Sequence, residues 1–175
     1  MIHKDAGELV TDLSLIHIYA MFQRREIHKV YHAVVCGTFP QKAGEAKDLL
    51  YRNRKQNKSY VVTEQHAEAK RAWLSYERLA VGDRYSLLAV TLHTGRHHQI
   101  RMQLSHMGYP IKGDLKYGAP RSNKDGGISL HARLLSFEHP VSHEQIEVVA
   151  PYPEDDAIWA LPVSYTHLDV YKRQA

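Results

Sequence analysis

Between Leu92 and His106 the chain reads LHTGRHHQIRMQLSH, and this stretch allows few local structures. Leu92 closes an apolar run, Gly95 offers a tight turn, and the residues after it carry apolar side chains at helical spacing. Thr94 is a residue type that caps helices, because its hydroxyl accepts from a backbone N–H left open in the first turn. The pattern predicts a strand end, a turn at Gly95 and a short basic helix capped by Thr94. On that helix Ile100, Leu104 and Met107 share one stripe that must be buried, and Arg101 lies at its edge. A guanidinium beside apolar packing needs a carboxylate, a phosphate or water, because an unpaired charge there is costly. On the residues alone, a solvated helix with one basic face fits as well.

A chain of 175 residues, 43% of them hydrophobic, suits one domain with a core of its own. With a single cysteine, Cys36, it forms no internal disulfide and no Cys-based zinc site, which points to a reducing cytoplasm. No apolar run is long enough to span a bilayer and no secretory signal is visible, so no membrane partner is expected. The formal net charge of +4 matters less than its distribution. Arg52, Arg54, Lys55 and Lys58 meet no acid until Glu64, and from His93 to Tyr117 the cations Arg96, Arg101, Lys112 and Lys116 face Asp114 alone. Such clusters are the footprint of an RNA binder, although ordinary surface charge also produces them. Thirteen histidines raise the question of a metal, but none pairs with a Cys or carboxylate at ligand spacing. On a helix His97 and His98 would point about 100° apart. No metal and no cofactor is expected.

Met21 to Ile27 reads as the last turns of a helix, and His28 to Cys36 as a half-buried strand. Gly37 to Asn57 reads as a looser region, and Ser59 to Thr63 as a short strand. Glu64 to Leu79 is ambiguous, with helical composition throughout but alternation from Ala72 onward. Arg84 to Leu92 is a strand entered by a Gly82-Asp83 turn, and Ile128 to Phe137 and Gln145 to Val149 are two more. A Gly- and Pro-punctuated loop runs to Gly127. The sum predicts an α+β domain with a mixed, largely antiparallel sheet and flanking helices.

Four blocks follow one another in a recognisable order. They are FQRREIHKVYHAVV from Phe22, LHTGRHHQIR from Leu92, GYPIKGDLKYG from Gly108 and ISLHARLLSFEHP from Ile128. Together they resemble the RluA-type RNA pseudouridine synthases, whose pattern reads roughly L-x-T-G-R-x-H-Q-I-R and then G-x-P-I-x-G-D-x-x-Y-G. The resemblance covers roughly Met21 to Pro162, and it places a strand over Arg71 to Leu79. It implies a cofactor-free isomerase that acts on structured RNA, ribosomal or transfer. A catalytic aspartate works at the sugar of the target uridine, and an arginine beside it keeps it ionised. Carried over residue by residue, Arg101 is that arginine, Tyr31 the active-site tyrosine and Leu130 the apolar wall against the base. Without the resemblance Tyr31 and Leu130 read as core. Lys29 and Arg96 are expected to meet phosphate, and the protein is expected to be a monomer.

The ends depart from that pattern. Leu13 to Ile18 can be encoded by a string whose reverse complement translates as Asp169 to Gln174. Residues 1–19 and 163–175 are therefore expected to lie outside the family domain at 20–162, as translated sequencing adapter in part. The family's aspartate sits in an H-R-L-D-x-x-T-S-G motif before the helix near Ala20. The nearest match, His3-Lys4-Asp5-Ala6-Gly7, lacks the arginine, the leucine and the Thr-Ser pair. The nucleophile is expected to be missing, the chain inactive as written and Arg101 without its counter-ion. A noncatalytic RNA-binding module is the alternative.

Overall fold

The structure is a computed structural model that describes residue 21 and residues 27–140, 142–153 and 157–160. Among these residues seven strands form one sheet: β1 (His28–Cys36), β2 (Ala43–Asn53), β3 (Lys58–Val61), β4 (Lys70–Val81), β5 (Tyr85–Leu92), β6 (Leu130–Glu138) and β7 (Gln145–Val149). Helix α1 (Gln99–His106) lies between β5 and β6 in sequence, and 3-10 turns cover Leu115–Tyr117 and Ala157–Ala160. The spatial order is β3-β2-β4-β5-β1-β6-β7, and every ladder among the described residues is antiparallel. This is the expected α+β class, with no parallel pair in the described part of the sheet.

β1 runs through the middle and is buried on both faces, which is why its sequence is nearly continuous in apolar residues. Tyr31, Ala33 and Val35 face the helix side, in a cluster with Leu74, Leu88, Val90, Ile100 and Leu104. Val30 and Val34 face the other side, against Leu134, Leu87 and Trp159. There Tyr152 stacks on Trp159 with ring centroids 5.5 Å apart, and its hydroxyl lies 2.6 Å from Nδ1 of the fully buried His32.

Two expectations change. The stretch expected to be loose contains β2, paired to β3 on one side and β4 on the other. Its composition, with Gly44, Glu45, Lys47 and Asp48, is poor for a strand, and only Ala46 and Leu50 are buried. Pairing on both edges overrides propensity, and a Cβ at Gly44 would stand 2.6 Å from the Tyr76 hydroxyl, so that ring would have to shift. The strand expected over Arg71 to Leu79 is β4, and residues 64–69, left open between helix and strand, form turns.

Thr94 does not cap the helix. The N-cap is His98, in the left-handed region at φ 52°, and it makes no side-chain cap bond. Gln99 organises the turn instead. Its Oε1 accepts from the Thr94 hydroxyl at 2.8 Å and the Arg96 N–H at 2.9 Å, and its Nε2 donates to the Trp73 carbonyl at 3.1 Å. The helix expected over Met21 to Ile27 lies almost wholly outside the described residues, although Met21 itself is buried.

Leu104 is fully buried and holds α1 against the sheet. Leu104→Ala should cost about 2–5 kcal/mol of unfolding free energy by removing that packing and leaving a cavity. Urea titration followed by circular dichroism reads this, and a loss below about 1 kcal/mol would show that α1 is not anchored there.

Candidate active site and nucleic-acid groove

The loop after α1 is docked on the central strand before it reaches the site. The Lys112 N–H donates to the Val34 carbonyl at 2.8 Å, the Ser129 N–H to the Lys112 carbonyl at 2.9 Å, and the Val34 N–H to the Ser129 carbonyl at 2.9 Å. Gly113 then turns at φ +86°, where a Cβ would stand 2.5 Å from the Gly127 carbonyl oxygen, so only glycine fits. The next residue, Asp114, is thereby delivered beneath α1 with its side chain 1% exposed.

Arg101 meets it there. Its Nε donates to Oδ2 at 2.7 Å and its Nη2 to Oδ1 at 2.8 Å, the two parallel bonds of a side-on fork. The guanidinium carbon lies 4.9 Å from the centroid of the Tyr117 ring, and Nη1 lies 3.1 Å from Nε2 of His98. Arg101 therefore has a counter-ion within this chain, contrary to expectation. The signal was present in the sequence, since Asp114 is the only acid between His93 and Tyr117. Three of the five N–H groups of a guanidinium are engaged, and the described residues offer no partner to the other two, one on each terminal nitrogen.

The hydrogen-bond roles around Arg101 are fixed by elimination. A guanidinium only donates, so His98 Nε2 accepts, and its Nδ1 carries the proton and donates to the Tyr117 hydroxyl at 3.0 Å. Burial and, after it, the Arg101 charge hold His98 neutral by pushing its pKa from 6.5 down to about 4. The Tyr117 hydroxyl also accepts from the Ser59 N–H at 2.8 Å, and burial raises its pKa. The His97 and His98 rings stack at 3.8 Å and 29°, because both residues precede the helix rather than lying along it. The divergence of about 100° expected for a helical pair does not occur. Among the described residues, no group of three or more His, Cys, Asp or Glu side chains could hold a metal ion.

Tyr31 and Leu130 sit on neighbouring strands and pack on the same helix-side cluster, one that includes Ile100 beside Arg101. Tyr31 is paired with Ala132 and Leu130 with Ala33, which makes the two diagonal neighbours. The hydrogen bonds and ring contacts of Arg101 go to Asp114, His98 and Tyr117, so those three residues join the candidate set that sequence reasoning missed. Lys29 lies two residues from Tyr31 on β1, and partial burial lowers its pKa.

Arg96 points elsewhere. Its Nε donates to the Arg71 carbonyl at 2.8 Å, and it lines a groove of about 610 Å³ along β2, the β2–β3 turn and the Gly95 turn. Neither Tyr31, Arg101 nor Leu130 lines this groove.

The sequence profile described as RNA pseudouridylate synthase matches residues 14–106. The uncharacterized RNA pseudouridine synthase YlyB of Bacillus subtilis is 32% identical over 160 residues, which span 89% of this chain and 52% of that protein. Ribosomal large subunit pseudouridine synthase D of Haemophilus ducreyi is 30% identical over 164 residues, covering 85% of this chain and 49% of its own length. The chain thus spans about half the length of the curated relatives it matches. Among solved structures, human RNA Pseudouridylate Synthase Domain Containing 1 superposes with a TM-score of 0.66 at 26% identity, over 81% of this chain and 62% of that one.

Asp114→Ala strands a partly shielded guanidinium and should cost about 2–4 kcal/mol, somewhat below a fully buried pair because the Arg101 side chain is 19% exposed. Thermal denaturation reads it, and a loss of a few tenths would mean that the fork carries no stability. His98 sets a pH dependence. Between about pH 6.5 and 4 the unfolded state takes up a proton that the folded state refuses, so stability falls as pH falls through that window. His98→Asn, which tolerates the left-handed backbone, should flatten that part of the curve; an unchanged slope would contradict a neutral, half-buried His98.

Proposed function

This chain belongs to the RNA pseudouridylate synthases, of the RluA type, and from that premise we propose that residues 20–162 are a partial catalytic domain for isomerising uridine in structured RNA, ribosomal or transfer. The reaction breaks the bond from ribose to the uracil nitrogen, turns the base and rejoins it through carbon five, whose hydrogen leaves as a proton while the freed nitrogen takes one up. Tyr31 stacks on the base and handles protons, Leu130 covers the other face, and Arg101 orients and stabilises the catalytic carboxylate. Lys29 and Arg96 meet phosphate. No cofactor is needed, and the compartment is the cytoplasm.

The observation that carries the reading is the placement of Arg101. Asp114 fixes its guanidinium side-on, and two N–H groups remain for a second oxyanion. In this reading the second oxyanion is the family's aspartate, from the H-R-L-D motif that this chain lacks. The polypeptide as written is therefore inactive. A noncatalytic RNA-binding module is favoured by one fact, that Arg101 is already charge-paired within the chain.

RNA tritiated at uracil carbon five distinguishes these readings, because isomerisation releases the label. The chain as written should release none, and a version carrying an upstream H-R-L-D-x-x-T-S-G segment should release it. Arg101→Ala in that version should lower the rate by roughly 10²-fold or more. Turnover by the chain as written would overturn the inactivity. Continued silence of the extended version would leave the binding module as the reading.

A further inference from the structure

We propose that His97 is a positioning residue for Arg101, tying the β2–β3 turn to the imidazole on which the guanidinium rests. The proposal builds on the role given to Arg101 above, and it concerns a side chain that the resemblance leaves open. In the pattern L-x-T-G-R-x-H-Q-I-R, His97 fills the second unspecified place.

The contacts close a ring of four residues. The buried Ser59 donates its hydroxyl proton to the His97 carbonyl at 2.6 Å, so its oxygen is left to accept from His97 Nδ1 at 3.0 Å. The Ser59 N–H donates to the Tyr117 hydroxyl at 2.8 Å, and His98 Nδ1 donates to the same hydroxyl at 3.0 Å. The His97 and His98 rings, stacked at 3.8 Å, complete the circuit. Arg101 is seated on two of its members. Nη1 donates to His98 Nε2 at 3.1 Å, and the guanidinium carbon lies 4.9 Å from the centroid of the Tyr117 ring. A second tie runs from His97 to the turn. The side-chain amide of Asn57, which has a donor end and an acceptor end, lies 3.0 Å from His97 Nε2.

The backbone shows that this arrangement is imposed. Asn57 at φ 46° and His98 at φ 52° are two of the three non-glycine residues in the left-handed region among the described residues, and both adjoin His97. Such backbone persists where the surrounding contacts over-determine it, and such places gather at functional sites. His97 belongs to none of the apolar clusters, so its bonds do not serve the core. Its ring instead shields one face of His98 and fixes the plane in which Nε2 accepts from Nη1. Rotating that plane would turn the accepting lone pair away from the guanidinium. Nη1 also carries one of the two spare N–H groups of Arg101, so holding this nitrogen aims that group at a second oxyanion.

The test is nitrogen-15 NMR of the imidazole and guanidinium groups in the full chain, without RNA. His98 is faced by Arg101, His97, Lys116 and Asp114, with Tyr117 at its edge. Removing the His97 ring exposes His98 and takes away one like charge, and both effects raise its pKa above about 4. His97→Ala should raise it by about one unit or more. The Arg101 Nη1 protons should then exchange with water faster, while the Nε–H, held by Asp114, keeps its protection. His97→Phe restores a stacked ring without the bonds to Ser59 and Asn57, and should return the His98 pKa most of the way to that of the parent. His106→Ala removes an exposed histidine of the same helix and should leave both signals unchanged. Far-ultraviolet circular dichroism should match the parent in all three, so that a moved signal reports position rather than fold. Should His97→Ala not fold, His97→Gln, which keeps polar atoms for Ser59 and Asn57 but no ring, carries the same expectation. An unchanged His98 pKa and Nη1 exchange rate in the ring-less variant would overturn the proposal, as would equal shifts in His106→Ala or no recovery in His97→Phe. The outcome is separable from the catalytic reading, because no turnover is measured. Coupling without tritium release supports the positioning role, and tritium release without coupling refutes that role alone.

Discussion

The Arg101–Asp114 fork is the interaction around which the site is built. A carboxylate 1% exposed is tolerable only when its charge is met, and the side-on guanidinium meets both oxygens at once. That requirement propagates outward. Asp114 reaches the position only because Gly113 turns where no side chain fits, and Arg101 reaches it only because Ile100 and Leu104 bury the neighbouring stripe of α1. His98 and Tyr117 complete the enclosure, one accepting from the guanidinium and the other lying against its face. The fork therefore joins the helix to the loop more specifically than apolar packing could.

The neutral state of His98 follows from the same arrangement. A protonated imidazole would present a donor to a donor and a cation to a cation, so the low pKa of about 4 is a consequence of Arg101 as well as of burial. One residue earlier, His97 stacks on the His98 ring and faces the groove through Asn57 and Ser59. The LHTGRHHQIR segment thus serves two surfaces. Arg96 and His97 turn toward the basic groove, while His98 and Arg101 turn toward the buried carboxylate.

Much of this was legible in the sequence where a residue's neighbours in the chain decide its fate. β1 and β7 fall on the expected ranges, and of the expected stripe Ile100 and Leu104 are buried on α1, whereas Met107, just past its end, is partly buried. The family and its α+β class were legible too, because four ordered motifs carry them. What stayed hidden depends on partners distant in sequence. β2 is a strand because β3 and β4 flank it, not because Gly44 or Asp48 favours one. Thr94 looks like a cap, yet its hydroxyl is taken by Trp73 and Gln99. Asp114 lies thirteen residues from Arg101, and only the folded loop brings them together.

The site exists only if the guanidinium is held. The most direct measurement is nitrogen-15 NMR of the Arg101 side chain in the full chain. The Nε–H should give a resolved resonance that exchanges slowly with water and disappears into the exchanging pool in Asp114→Asn. An Nε–H that exchanges as fast as that of an exposed arginine in the parent chain would show a solvated side chain, and both the fork and the pocket built on it would be lost.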